Sequence, residues 1–154
     1  MNNDRFKFRL WCKETKKYYQ DEEFCINATG SIVIQTEFEE TPWFEDDFII
    51  EQCTGLRDKQ GKLIYEGDVI ENTFSDGTKA QWFIVWNEED QKHVKLNLPW
   101  FKQEKLEIGK NFSMENYIVF SSYGIKKETA FRYAIIGNIH DPKFGIELQE
   151  GDSK

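Results

Sequence analysis

In nearly every segment of this chain the apolar period is two, and no run repeats apolar residues at helical spacing for more than about three turns, which restricts the fold to one built of strands. From Phe6 to Cys12 the segment FKFRLWC alternates Phe6, Phe8, Leu10 and Cys12 against Lys7, Arg9 and Trp11, the period of a half-buried strand. KETKK then turns the chain and YYQDEEFCI is expected to return it. Asn27-Ala28-Thr29-Gly30 is a second turn signal, followed by the β-branched run Ser31 to Thr36, and Pro42 is expected to break whatever follows. Aromatic residues, 16% of the 154, suit this pattern because flat rings pack well on a pleated surface.

The segment Thr54 to Ile70, TGLRDKQGKLIYEGDVI, poses the question of site or scaffold. Gly55, Gly61 and Gly67 fit neither GxxxxGK[ST] nor a GxGxxG that opens a helix, and a strand follows Gly67, so no phosphate cradle forms. Asp58 and Gly61 instead carry turn chemistry, Leu63 and Tyr65 alternate with Lys62 and Ile64, and Glu66-Gly67-Asp68 bends the chain at a residue expected to take positive φ. We therefore assign Gly55, Asp58, Gly61, Tyr65, Gly67 and Asp68 a structural role. Asp76-Gly77 marks a hairpin into the run Lys79 to Trp86. Val94 to Leu98, Tyr117 to Phe120 and Phe131 to Ile136 read as further strands, and Ser113 to Asn116 as a brief helical turn. The expected fold is all-β: antiparallel strands in a small SH3-like barrel with an additional N-terminal hairpin and little helix. One domain is expected over residues 1–148, with a polar tail at 149–154.

A net charge of −8 opposes a nonspecific grip on nucleic acid, whose affinity comes from Lys and Arg displacing counterions. No stretch approaches the roughly 20 apolar residues that span a bilayer. Cys12, Cys25 and Cys53 form no CxxC pair, so neither a disulfide framework nor a zinc site is expected, and each reads as a small hydrophobe in a reducing cytoplasm. His93 reads as an exposed strand-edge residue. His140 beside Asp141 lacks the companions of a metal or catalytic site. No cofactor is expected.

One stretch is unusual. From Gln35 to Leu56 there is no Lys or Arg, while Glu37, Glu39, Glu40, Glu45, Asp46, Asp47 and Glu51 are interleaved with Phe38, Trp43, Phe44 and Phe48. Either the aromatics anchor a loop whose acids face water, or the stretch docks a basic partner through Glu39, Glu40, Trp43, Phe44, Asp46 and Asp47, with acids steering and rings anchoring.

Three stretches, Phe8-Arg9-Leu10-Trp11 with its lysine-rich turn and tyrosines, the central TGLRDKQGKLIYEGDVI, and Ala134-Ile135-Ile136-Gly137-Asn138-Ile139-His140-Asp141-Pro142, together resemble the YopX-like proteins of phages and prophages. The resemblance spans nearly the whole chain. It implies phage or prophage origin, a bacterial cytoplasm and a mainly β fold, and brings no catalytic residue or cofactor to carry over. Here His140-Asp141 stands where relatives tend to have an aromatic or acidic pair before the proline.

The favoured expectation is a non-enzymatic accessory protein acting through protein contacts, on a host or phage nucleic-acid-handling protein, with homo-oligomerisation left open. One rival is a nucleic-acid-binding barrel that stacks bases on Trp11, Trp82, Trp86 or Trp100 beside Lys102, Lys105, Lys110, Lys126 and Lys127. Another is an enzyme with carboxylates gathered from distant positions.

Overall fold

The computed structural model describes residues 3–19, 23–29, 31–35, 40–42, 47–87, 91–98, 117–119 and 132–144. Among them the chain forms twelve strands: β1 (Phe8–Cys12), β2 (Lys17–Tyr19), β3 (Phe24–Ile26), β4 (Ile32–Gln35), β5 (Glu40–Pro42), β6 (Phe48–Arg57), β7 (Leu63–Tyr65), β8 (Asp68–Thr73), β9 (Lys79–Asn87), β10 (Lys92–Asn97), β11 (Tyr117–Val119) and β12 (Ala134–Asn138). Helix among the described residues is limited to short pieces, including single 3-10 turns at Asp4–Phe6 and Pro142–Phe144. All strand pairings are antiparallel, in sheets ordered β2-β1-β6-β7, β11-β10-β9-β8-β12 and β3-β4-β5, with one curled into a half-barrel. The all-β, antiparallel expectation holds, and the N-terminal hairpin β1–β2 is there, paired Leu10 to Tyr19 and Cys12 to Lys17.

Local chemistry explains the corners. Lys16 takes φ 55° and its N–H bonds the Cys12 carbonyl, closing the first hairpin. Asn27 Oδ1 accepts from the N–H groups of Thr29 and Ser31 at 3.0 and 2.9 Å, an Asx turn that leads into β4. Asp76 does the same for Thr78 N–H at 2.9 Å, between β8 and β9.

The β1–β6 pairing, with Leu10 opposite Ile50 and Arg9 opposite Glu51, places the four-stranded sheet between two interiors. On one side Leu10, Cys12 and Phe48 pack with Ile32 of β4, and Tyr19 and Phe24 complete this cluster. Towards the five-stranded sheet, Leu56 and Ile64 meet Ile70, Trp82 and Ile84, with Ala80, Tyr133 and Ile135 against them. Arg9 and Trp11, the polar face of the first strand by sequence, therefore point into a second interface rather than into bulk water.

Several local expectations need correction. Phe6 falls outside β1, in the 3-10 turn, and is exposed, because the strand alternation starts only at Phe8. Pro42 is the last residue of β5, an edge strand, opposite Val33, and residues 43–46, which it is expected to break, lie outside the described residues. The last strand begins at Ala134 and runs through Gly137 and Asn138, with a bulge between Ile135 and Gly137. Cys25 is exposed, unlike Cys12 and Cys53.

Candidate functional site

The segment Thr54 to Ile70 serves as scaffold at one end and as part of a buried polar cluster at the other. Gly55 lies at the irregularity of β6 between Cys53 and Arg57, where that strand carries extra residues against β7. Asp58 is fully buried: Oδ1 accepts from Gln60 and Lys62 N–H at 2.8 and 2.9 Å, and Oδ2 accepts from Ile135 N–H at 3.2 Å. One carboxylate thus folds the loop and ties it to β12, while Gly61 turns the chain at φ 82°. In Asp58→Asn the amide would turn a donor towards one of these N–H groups. The expected loss is about 1–3 kcal/mol, the penalty of an unpaired buried donor, read from urea unfolding.

At the other end, Tyr65, Gly67 and Asp68 meet residues far away in sequence. Arg9 Nε donates to Glu51 Oε2, its Nη1 pairs with Asp68 Oδ1 at 2.7 Å, and its Nη2 donates to the Glu66 carbonyl at 3.0 Å. The guanidinium also stacks over the rings of Tyr18 and Tyr65, 4.6 and 5.0 Å from their centroids. Glu51, 2% exposed, accepts further bonds from Tyr18 Oη at 3.0 Å and shares a 2.7 Å bond with His140 Nε2. The imidazole of His140 lies parallel to the Trp11 indole, centroids 4.2 Å apart, and the His140 backbone N–H donates to Asn138 Oδ1. Asp68 Oδ2 accepts from Tyr65 N–H at 2.8 Å. Alongside, the Glu66 carboxylate accepts from Gln52 N–H and bonds His93 Nε2 at 3.0 Å.

Two acids share one guanidinium here. Burial alone would push Arg9 down, but Glu51 and Asp68 outweigh it and the net direction is up, so the cation is fixed. The Tyr18 hydroxyl is pushed up by burial and by Glu51, and stays protonated as a donor. Burial pushes Asp68 up to about 6, against the opposing pull of Arg9 and the Tyr65 N–H. A folded value above the unfolded one means that the native state binds the Asp68 proton more tightly. Its contribution is therefore present in full at pH below about 4, and is lost as pH rises through about 6. Compared with the wild type, Asp68→Asn should lack this decline between pH 4 and 6 in urea-unfolding free energies. Parallel profiles for the two proteins would contradict the assignment.

The cluster corrects two expectations, on Glu51 and on His93. Glu51 is not one of the solvated acids of the 35–56 stretch, because its place opposite Arg9 turns it into the inter-sheet space. His140 partners Glu51 rather than Asp141, whose carboxylate accepts from Lys143 N–H. His93 lies on β10, flanked by β9 and β11, and is mostly buried against Glu66 and the Trp86 edge. Each of the three stretches that carry the family resemblance contributes a charged or titratable group: Arg9 from the first, Glu66 and Asp68 from the second, His140 from the third. Charged or titratable residues inside all three stretches were the available signal, and Glu51, within the central acidic run, lacked it.

Chemically the arrangement clamps sheets together. A general base needs hydrogen-bond reach to a substrate proton, whereas both Glu51 oxygens are engaged and the side chains of Glu51, Asp68 and His140 are at most 3% exposed. Among the described residues no group of three or more His, Cys, Asp or Glu side chains is arranged to hold a metal, and no helix is long and apolar enough to cross a membrane. Of the tryptophans considered for base stacking, Trp82 is buried in the core, Trp11 is covered by His140 and Trp86 abuts His93. Trp100 and the five lysines grouped with it lie outside the described residues. So do Glu39, Trp43, Phe44 and Asp46; Glu40 lies in β5, and Asp47 is exposed with its carbonyl accepting from Lys13 N–H.

A family model described as YopX protein matches residues 7–143. Among solved structures, the crystal structure of protein EF1440 from Enterococcus faecalis matches with 19% sequence identity and a TM-score of 0.49, covering 92% of this chain and 97% of that one. No curated protein matches.

Proposed function

We propose, from the premise that the chain belongs to the YopX family, that it is a non-enzymatic accessory protein of a phage or prophage that acts in the bacterial cytoplasm by binding another protein. The observation that supports this reading is the saturation of the buried cluster: its acids, its arginine and His140 are spent on one another, leaving none of these groups in reach of a substrate. The recognition surface is the acidic and aromatic stretch, where six of the seven acids remain once Glu51 is turned inward. A basic partner, such as a host or phage protein that handles nucleic acid, has the complementary charge. Acids supply long-range steering and Trp43 the anchor.

Two variants test it in pull-downs from bacterial lysate, followed by binding kinetics on any protein retained. Glu39→Gln, Glu40→Gln, Asp46→Asn and Asp47→Asn together should slow association and flatten its salt dependence with the melting temperature unchanged. Trp43→Ala should weaken binding by about 2 kcal/mol or more. A Trp43→Ala protein that binds normally but loses about 3–5 kcal/mol of stability would make Trp43 a core residue and overturn the docking role.

A further inference from the structure

Among the described residues three ionisable pairs cross from the four-stranded sheet to the five-stranded one, and the chain's two histidines make two of them. Arg9 of β1 reaches Asp68 of β8, Glu51 of β6 reaches His140 in the turn after β12, and Glu66, which follows β7, reaches His93 of β10. The first link carries a fixed cation. A histidine ring is the side chain that ordinarily gains or loses its charge between about pH 5 and 8, so the other two links change character with proton concentration.

The surroundings of both rings favour the charged form of the bond. His140 Nε2 lies 2.7 Å from Glu51 Oε1, while Glu51 Oε2 accepts from Arg9 Nε and Tyr18 Oη, and Asp68 lies on the far side of Arg9. On the turn itself Asp141 and Lys143 pair with each other. The Trp11 indole stacked on His140 presents a ring face, which attracts a cation. His93 Nε2 lies 3.0 Å from Glu66 Oε1 beside the Trp86 ring; on the same strand Lys95 donates to Tyr133. Glu66 Oε2 accepts from Gln52 N–H, and the Glu66 carbonyl accepts from Arg9 Nη2, which joins the two histidine links. Both glutamates thus stand as acceptors, and each histidine presents Nε2–H. Counted over these bonded groups, three carboxylates face one guanidinium while the rings are neutral, and two protons bring the seam to charge balance. A hydrogen bond between ionised partners is roughly twice as strong as a neutral one.

We propose that the seam between the two sheets is a proton-operated latch, in which protonated His140 and His93 clamp the turn after β12 and strand β10 onto the four-stranded sheet, and loss of those protons loosens both. The device is independent of the docking role of residues 35–56.

The test is amide hydrogen exchange of the full-length protein by NMR at pH 6 and pH 8, with intrinsic exchange rates divided out. The probes are the N–H groups of Gly67 and Ile139, which bond the Ile84 and Gly67 carbonyls across the seam. Protection at both should fall about fivefold or more from pH 6 to pH 8 as the charge-assisted bonds become neutral. In the double variant His93→Gln, His140→Gln each glutamine keeps a donor for its glutamate but does not titrate, and protection should change by less than about twofold over the same interval. Asp68, pushed up to about 6 by burial, also weakens the seam as it loses its proton. A fall that persists in the double variant therefore belongs to Asp68 and overturns the proposal. So does a wild-type fall below about twofold. If the double variant does not fold, His140→Gln alone should show a smaller fall than wild type, and an equal fall would overturn the latch.

Discussion

Arg9→Met should lower the unfolding free energy at pH 7.5 by about 3–5 kcal/mol, the usual loss when one partner of a buried ion pair is removed and the other is left uncompensated. Two acids are orphaned at once here, because Glu51 and Asp68, each 2% exposed, share that one guanidinium. The methionine keeps much of the stem volume, so lost packing contributes little. Two further measurements isolate the charge effect. At pH 4.5, below the value of about 6 to which burial pushes Asp68, that carboxyl is protonated and the deficit should shrink. Adding Glu51→Gln to Arg9→Met should restore part of the loss, with a coupling of about 1 kcal/mol or more between the sites. A deficit below about 0.5 kcal/mol at pH 7.5 would mean that water screens the cluster like an ordinary surface pair.

Gly67→Ala should be destabilising well beyond Gly61→Ala, although both glycines have nearly the same left-handed backbone, φ 77° and 82°. Any L side chain pays the conformational penalty at either place, about 1–2 kcal/mol. At Gly61 a Cβ meets nothing within 4 Å. At Gly67 it would lie 2.7 Å from Glu51 Oε1 and 3.2 Å from Ile139 Cγ1. That carboxylate end cannot swing away without releasing Arg9, Tyr18 and His140. The Gly67 backbone is also committed, its N–H to the Ile84 carbonyl and its carbonyl to Ile139 N–H, both at 2.8 Å. We expect Gly67→Ala to lose about 2 kcal/mol more than Gly61→Ala, in line with overpacking of a filled site. Equal losses in thermal or urea melts would show that the bend has room to relax and that Gly67 serves only its own dihedral.

Strand periodicity and turn chemistry are local properties, and the sequence alone was enough for them: the alternation of β1, the Asn27, Asp58 and Asp76 turns, the bend at Gly67 and the all-β class all follow from neighbours within a few residues. The same locality explains the misplaced edges. Whether Phe6 continues a strand and where β12 begins depend on which partner strand lies alongside, and nothing near those residues specifies it. The buried cluster shows the limit most directly. Period two states that Arg9 and Trp11 share a face, but a solvated face and an inter-sheet face have the same pattern until the second sheet is placed over it. Glu51 and His140 are 89 residues apart, and they became partners only when β1, β6, β8 and the turn after β12 were packed together. Lys95 likewise reads as one more polar residue on a strand. Its burial against Trp82 and Tyr133 depends on which strands flank β10 and on where the chain enters β12, which no single strand encodes.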